Sequence, residues 1–258
     1  MIRNDADMIT TKPQIIGSAL RSSPLPAHPA AAASHATVAV EPAPAALSYR
    51  LSKRIFDLSL ALLLVVLLSP LLVVIWLAIK LEDGGPVIIE QRRVGLGGRV
   101  FSFYKFRSMR RDVDHSLSHR AFAQQVIRGE ITKGPHSNGG LLKPTGDGRM
   151  ITRVGKVLRK TSMDELPQLF NVILGDMSLV GPRPSIDYEA EVYFDWYLPR
   201  LSVLPGITGL AQIHGRSSIP FPQIVQWDLR YVEQRSFWFD LKVLAQTAPV
   251  VVQMRNTG

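Results

Sequence analysis

The chain has 258 residues, of which 46% are hydrophobic and 20% charged, and its formal net charge is +9. This length allows one domain with a sizeable core plus an appendage, and the positive charge favours nucleic acid, an anionic membrane or phosphorylated substrates as partners. Cysteine is absent, which excludes a disulfide framework, a thiolate metal site and a cysteine nucleophile.

Residues 1–48 form an Ala- and Pro-rich tail, with stretches such as SSPLPAHPAAAASHA. The tail has no apolar period and offers too little hydrophobic surface to offset the entropy cost of ordering. We therefore expect a disordered extension without a specific function.

Residues 49–82 contain the apolar run LSLALLLVVLLSPLLVVIWLAI, interrupted only by Ser59, Ser69 and Pro70. One bilayer crossing needs about 20 apolar residues, so the run predicts membrane insertion. Pro70 removes a backbone hydrogen bond near the midpoint, and Ser69 can satisfy the freed carbonyl. The helix either spans the membrane with a kink or breaks at Ser69-Pro70 and returns. Basic residues at both ends favour the re-entrant path.

The remaining residues, 83–258, have the pattern of a soluble domain. The segments PVIIEQ and RVFSFYKF flank a glycine-containing turn and predict a β-hairpin. Alternation places Lys105 and Arg107 on the exposed face of its second strand. Residues 112–149 are polar and Gly-rich, which predicts a mobile loop over a site, with one short helix at HRAFAQQVI.

Helical patterns dominate the rest of this domain, so the predicted fold is mainly α with a small β-hairpin or sheet. The predicted helices are VGKVLRK, ELPQLFNVILG, residues 188–198, residues 224–233 and FDLKVLAQTAPVVVQM.

The stretch TSMDELPQLFNVILG contains two adjacent acids, Asp164 and Glu165. Pro167 is tolerated only in a first turn, so the helix should begin between Ser162 and Asp164. Its apolar residues have the spacing of a buried helix face; they are Leu166, Leu169, Phe170, Ile173 and Leu174. In the simplest interpretation Ser162 and Glu165 form a capping box, since acids favour helix starts.

A second interpretation is a phosphate-and-metal centre, because Arg159 and Arg183 lie near the acids in sequence. One carboxylate can attack phosphorus, and the other can hold a hard cation. In GPRP, prolines on both sides of Arg183 would present its guanidinium with little loss of entropy. The plainer alternative is a turn with a solvated arginine.

From about Arg50 onward the chain resembles the bacterial sugar transferases, the monotopic polyprenyl-phosphate sugar-1-phosphate transferases that begin exopolysaccharide and glycan assembly. The matching segments stand in family order: KRIFDLSLALLLVVLLSP, YKFRSM, ITRVGKVLRKTSMDELPQLFNVILGDMSLVGPRP, PGITGLAQIHGR and FDLKVLAQT. The resemblance implies a monotopic protein of the bacterial inner membrane. Its re-entrant helix is broken at Ser69-Pro70, and its catalytic domain, residues 83–258, lies on the cytoplasmic face.

Carried over by position, the resemblance makes Asp164 the nucleophile and Glu165 the acid associated with Mg²⁺, with Asp164 beside the metal. Its phosphate-contacting arginines are Arg159 and Arg183. The further substrate-binding positions are Lys105, Arg107, Gln212 and Arg216.

The implied reaction has two steps. The nucleophile attacks the sugar-bearing phosphate of a UDP-sugar, releasing UMP, and undecaprenyl phosphate then takes the phosphosugar from the carboxylate. Glucose or galactose is the expected sugar, the bilayer is a partner, and a homodimer is a candidate assembly.

Two other functions fit parts of the sequence. One is a catalytically silent membrane scaffold of a polysaccharide assembly system, and the other is a membrane phosphatase that uses an aspartyl intermediate. Nucleic acid is not an expected partner, because no recognition motif accompanies the basic charge. A basic face on anionic lipid explains that charge more simply.

Overall fold

The computed structural model describes residues 39–110, 116–128, 130, 151–193, 195–215 and 219–252. This part is mostly helical, with two small sheets, as the sequence predicts. The helices are α1 (Leu47–Asp83), α2 (Ser116–Ile127), α3 (Arg153–Thr161), α4 (Gln168–Leu174), α5 (Asp187–Ala190), α6 (Leu210–Ile213), α7 (Phe221–Gln234) and α8 (Phe237–Val252). The strands are β1 (Ile88–Val94), β2 (Val100–Phe106), β3 (Ser178–Val180), β4 (Ser185–Ile186) and β5 (Gly206–Thr208).

Helix α1 is, within the described residues, the one helix long and apolar enough to cross a membrane. It continues through Ser69 and Pro70 without an intervening loop residue. The Ser69 hydroxyl donates to the Val66 carbonyl at 2.8 Å. Pro70, four residues after Val66, has no N–H to donate to that carbonyl. The apolar helix and the role of Ser69 are thereby confirmed. The predicted break at Ser69-Pro70 is not observed, because α1 is continuous through both residues, and the re-entrant path stays a prediction.

Both ends of α1 contact the folded domain. At the first end, Lys53 Nζ donates to Asp240 Oδ2 on α8 at 2.8 Å and to the Val180 carbonyl on β3 at 3.2 Å. At the other end, the Glu82 carboxylate accepts from the backbone N–H groups of Arg153 and Val154 at 2.6 and 3.1 Å. These acceptors complete the first turn of α3. The domain therefore holds α1 at two points far apart along the helix.

The predicted hairpin is present, with β1 and β2 antiparallel and Val94 opposite Val100. Strand β4 pairs with the other edge of β1, and β3 pairs with β5 in parallel, which joins GDMSLVG to PGITG. The predicted exposure of Lys105 and Arg107 is wrong. Lys105 is half-buried because it forms ion pairs with both acids, and Arg107 lies beyond the end of β2 and is buried.

Two predicted helices differ from the observed ones. Residues 188–198 do not form one helix: α5 has four residues, and a 3-10 helix covers Asp195–Ser202, where Pro199 lacks the N–H that an α-helix requires. The α-helix after the acids begins at Gln168, not between Ser162 and Asp164. Before it, the backbone N–H groups of Glu165 and Leu166 donate to carbonyls three residues earlier, and Leu169 and Phe170 do the same in the first turn of α4, which is the 3-10 pattern.

The buried face of α4 also differs from the prediction. Leu169 is buried and Leu166 and Ile173 are half-buried, but Phe170 and Leu174 are exposed. Residues of α1 pack in one cluster with Leu169 and Val172, and Arg54 of α1 donates to the Val172 and Ile173 carbonyls near the end of α4. The most buried residues of this helix are Gln168, Asn171 and Val172.

Two predicted segments lie mostly outside the described residues. Of the tail, residues 39–46 are described and precede α1, which begins slightly earlier than predicted. Of the loop 112–149, helix α2 confirms the short helix expected at HRAFAQQVI. The predicted disorder of the tail and mobility of the loop stay predictions.

Candidate active site

The two acids lie on a 3-10 turn, Met163–Glu165, that connects α3 to α4. Ser162 precedes it in the left-handed conformation, with φ at 57°, and its side chain makes no cap hydrogen bond. The capping-box interpretation is therefore wrong, because a residue with that backbone ends α3 instead of opening the next helix. The turn leaves Asp164 9% exposed and Glu165 half-buried.

Lys105 from β2 contacts both acids. Its Nζ lies 2.9 Å from Glu165 Oε1 and donates a hydrogen bond to it, and it lies 3.6 Å from Asp164 Oδ2. The hairpin thus supplies a half-buried cation to a pair of adjacent carboxylates. Because the ion pairs are partly shielded from water, they are stronger than exposed ones.

Arg183 approaches the same pair from the GPRP segment, with its Nη1 3.9 Å from Glu165 Oε1. Burial raises the pKa of the Asp164 carboxyl above its ordinary value, the Lys105 charge opposes that rise, and the Glu165 charge adds to it. Arg159 and Arg183 also lower this pKa. The structure therefore connects four of the predicted residues by ion pairs, Lys105, Asp164, Glu165 and Arg183, and Arg159 acts on the same centre through its charge.

Two more of the predicted positions, Arg107 and Gln212, lie within the described residues, and the third does not. Arg107 is buried beside the end of β2, and its backbone N–H donates to the Val87 carbonyl at 2.9 Å. Gln212 lies on α6 with a buried Oε1, and within the described part its contacts do not reach the acidic pair. Arg216 lies outside the described residues.

Asn171 is a site-forming residue that the sequence did not predict. Its side-chain nitrogen donates to the Ser102 carbonyl at 2.7 Å, and its side-chain oxygen accepts from the Tyr104 N–H at 3.0 Å. Among the described strands β2 pairs with β1 alone, and this amide satisfies two backbone groups on the other edge of β2. Asn171 thereby sets the position of α4 and the acids relative to Lys105. A polar residue inside the apolar run LFNVIL was the available signal.

Asp164 and Glu165 have the donor chemistry that Mg²⁺ prefers. Protein Mg²⁺ sites commonly use one or two carboxylates, with substrate phosphates and water completing the shell. The described residues contain no group of three or more acids or histidines that could hold a metal ion, so this part of the chain would supply a two-carboxylate set. That set fits an ion held jointly by the protein and a phosphorylated substrate.

Comparison with known proteins identifies the family to which the chain is similar. Residues 48–254 match the family model described as bacterial sugar transferase. The chain is 41% identical to the undecaprenyl-phosphate galactose phosphotransferase of Salmonella typhimurium over 80% of this chain and 41% of that protein. It is 37% identical to the UDP-glucose:undecaprenyl-phosphate glucose-1-phosphate transferase of Xanthomonas campestris pv. campestris, over 80% of this chain and 40% of that protein.

The chain thus spans less than half the length of those two relatives. A shorter relative, the exopolysaccharide production protein ExoY of Sinorhizobium fredii, is 37% identical over 80% of this chain and 88% of its own length. The family model matches most of the chain, and ExoY matches over most of both chains. This protein therefore belongs to the bacterial sugar transferase family.

Proposed function

We propose that this protein transfers a sugar-1-phosphate from a UDP-sugar to undecaprenyl phosphate and releases UMP, with Asp164 as the covalent nucleophile. The observation that carries the proposal is the packing of a buried and a half-buried carboxylate against Lys105 and Arg183. The galactose and glucose phosphotransferases among the relatives support a lipid-phosphate acceptor and a hexose. The step would initiate assembly of an exopolysaccharide or another glycan.

In the first step, an Asp164 oxygen forms a bond to the sugar-bearing phosphorus, and the bond from that phosphorus to the bridging oxygen breaks. UMP leaves with the bridging oxygen and its electron pair. In the second step, a phosphate oxygen of undecaprenyl phosphate attacks the same phosphorus, and the carboxylate leaves. No net proton transfer is required in either step when the acceptor phosphate is a dianion.

The cations around the pair suit this chemistry because negative charge spreads over the phosphoryl oxygens in the transition state. Lys105 is held by its two ion pairs before substrate arrives, so it needs little reorganisation when that charge develops. Arg159 contributes positive charge from α3. Arg107, Gln212 and Arg216 are proposed to contact the donor around this centre.

Mg²⁺ is proposed to bind at Glu165 and Asp164 together with donor phosphates. The ion would neutralise phosphoryl charge when bound. Lys105 already neutralises part of the pair's charge in the described structure, so the carboxylates are held in place without it.

A silent scaffold is the less favoured function. Burying an acid next to a second carboxylate costs free energy unless cations compensate for it. A protein that only docks partners gains nothing from a desolvated pair whose Asp164 has a raised pKa. Such perturbed groups concentrate at functional sites.

We further propose that α1 is re-entrant, with both ends at the cytoplasmic face of the inner membrane. Lys53 and Glu82 both bond to the same domain. Along a straight helix they would be about 43 Å apart at ~1.5 Å per residue, and a bilayer core is about 30 Å thick. A domain on one side of the membrane can reach both positions if the helix returns. A homodimer stays a prediction.

Replacing Asp164 with Asn should reduce UMP release from a UDP-sugar by about four orders of magnitude or more, because the attacking oxygen is lost. The measurement is UMP release across a panel of UDP-sugars with undecaprenyl phosphate present. Asp176→Asn, at a half-buried acid outside the pair, is the control and should retain activity.

The product of the same assay separates the alternatives. A phosphatase would yield free sugar phosphate without the lipid, and a scaffold would yield no UMP in the wild type. Retained transfer in Asp164→Asn would reject the proposed nucleophile.

The pH profile should depend on Lys105. Asp164 must be ionised to attack, so kcat/KM falls as pH drops through its raised pKa. Lys105 is the largest influence that lowers this pKa; hence Lys105→Met should move the acid limb of the profile to higher pH. Lys105→Arg keeps the charge and should leave the limb near that of the wild type. An unmoved limb in Lys105→Met would contradict this coupling.

The Mg²⁺ proposal predicts that EDTA stops turnover and that added Mg²⁺ restores it. Glu165→Gln loses a charged ligand and should need a higher Mg²⁺ concentration for half-maximal UMP release. Glu90→Gln, an exposed acid on β1, is the matched control. Equal Mg²⁺ requirements in the two variants would remove Glu165 from the metal site.

The absence of cysteine makes the topology directly measurable. Single cysteines at the exposed positions Arg50 and Pro86 should both react with a membrane-impermeant maleimide in inside-out inner-membrane vesicles. Neither should react in intact spheroplasts. Labelling from opposite sides would establish a spanning helix.

A further inference from the structure

We infer that two buried arginines, Arg93 and Arg200, are positioning residues that hold the backbone of residues 181–184, the GPRP loop, and so aim Arg183 at the substrate phosphate. The inference rests on the proposed function, in which Arg183 contacts that phosphate. Neither arginine stood out in the sequence, because each lies outside the acidic stretch and GPRP.

The first half of the GPRP loop is held by the parallel strand pair. The Gly181 N–H donates to the Thr208 carbonyl at 2.9 Å, and the Gly206 N–H donates to the Pro182 carbonyl at 2.8 Å. The two backbones are so close that a Cβ on Gly206 would lie 2.0 Å from the Gly181 nitrogen. Glycine is therefore required where the loop meets β5.

In the second half, no described strand bonds to the carbonyls of Arg183 and Pro184, and a buried guanidinium donates to each of them. Arg200 Nη2 donates to the Arg183 carbonyl at 3.0 Å, and Arg93 Nη1 donates to the Pro184 carbonyl at 3.0 Å. Both arginine side chains are buried, with each residue 3% exposed. All four residues of the loop thus have a backbone group held by a hydrogen bond.

The contacts of Arg93 orient its guanidinium toward the Pro184 carbonyl and include no described ion pair. Its Nη2 donates to Gln91 Oε1 at 2.6 Å, and its guanidinium lies 5.0 Å from the centre of the Phe103 ring. Within the described residues it has no carboxylate at ion-pair distance. Burial lowers the pKa of Arg93 to about 10, so it remains charged at neutral pH and strengthens its hydrogen bond to the carbonyl.

Arg200 is anchored from the opposite side. It forms a buried ion pair with Asp228 Oδ2 on α7 at 2.5 Å, and its Nη1 donates to the Tyr193 hydroxyl at 2.8 Å. Its guanidinium also lies 5.7 and 5.8 Å from the ring centres of Tyr193 and Phe221. These contacts leave Arg200 little freedom, so the Arg183 carbonyl is tied to a rigid part of the core.

The clamp matters because the Arg183 side chain is weakly held. It is 45% exposed, and its ion pair to Glu165 is 3.9 Å long. Its direction therefore depends on its backbone. A shift of about 1 Å in a group that contacts a reacting phosphate can cost about a hundredfold in rate.

A double-mutant cycle tests the inference: Arg93→Met, Arg183→Ala and the double variant are compared with the wild type for kcat/KM of UMP release. Arg93→Met should lower kcat/KM by about 10- to 100-fold. In the Arg183→Ala background, Arg93→Met should lower kcat/KM by less than about 3-fold. The hydrogen bonds that position Arg183 have no further effect once its side chain is removed. Effects that multiply would overturn the inference.

The arms of the cycle separate the two proposals. An Arg183→Ala variant with wild-type kcat/KM would reject the phosphate role of Arg183 and with it this part of the proposed function. A strong Arg183→Ala effect combined with an unaltered Arg93→Met enzyme would reject the clamp alone.

Arg92→Met is the matched control for charge. Arg92 directly precedes Arg93 on β1. Its side chain is 75% exposed and forms an ion pair with Asp187 at 3.8 Å. Arg92→Met should change kcat/KM by less than about 2-fold, since exposed ion pairs contribute little.

Arg93→Lys and Arg200→Lys keep the buried charge. If Arg93→Met fails to fold, as a thermal melt would reveal, the same cycle is read with Arg93→Lys, and multiplying effects would again overturn the clamp.

Discussion

Two adjacent carboxylates, one of them buried, can remain ionised together only where positive charge offsets their repulsion and their loss of water. In this protein that charge comes from three places distant in sequence: Lys105 on β2, Arg159 on α3 and Arg183 after β3. The hairpin, the helix and the loop must therefore converge at one point. The buried side chains of Asn171, Arg93 and Arg200 bond to the backbones of β2 and the GPRP loop and help to hold two of these three elements.

Strand β3 connects the site to the membrane helix. The Val180 carbonyl accepts from Lys53 on α1 and from the buried Tyr231 hydroxyl, and the GPRP loop begins at the next residue. One short strand thus carries both the attachment of α1 and the backbone of Arg183. In the proposed reaction the acceptor lipid stays in the bilayer, so its phosphate lies at a nearly fixed distance from the membrane surface. The attachment of α1 to β3 would hold the proposed nucleophile at a matching distance.

Sequence patterns predicted the elements that depend on local physics. The apolar run, the hairpin and the helices α3, α7 and α8 follow from periodicity and turn chemistry. The missed features depend on tertiary contacts. The rotated face of α4 results from α1 packing on it, and the burial of Lys105 results from its ion pairs. Asn171 could be noticed as a polar residue in an apolar run, but its partners on β2 are about 70 positions away.

The geometry also distinguishes the two acids, which sequence order alone could not do. Lys105 is closer to Glu165 than to Asp164, at 2.9 against 3.6 Å, and Arg183 pairs with Glu165. The Glu165 carboxylate is therefore paired with two cations, which lower its reactivity as a nucleophile. Asp164 is more buried and less completely paired. A desolvated carboxylate with fewer hydrogen bonds attacks phosphorus more readily. This asymmetry favours the covalent bond at Asp164 and the role of cation ligand at Glu165.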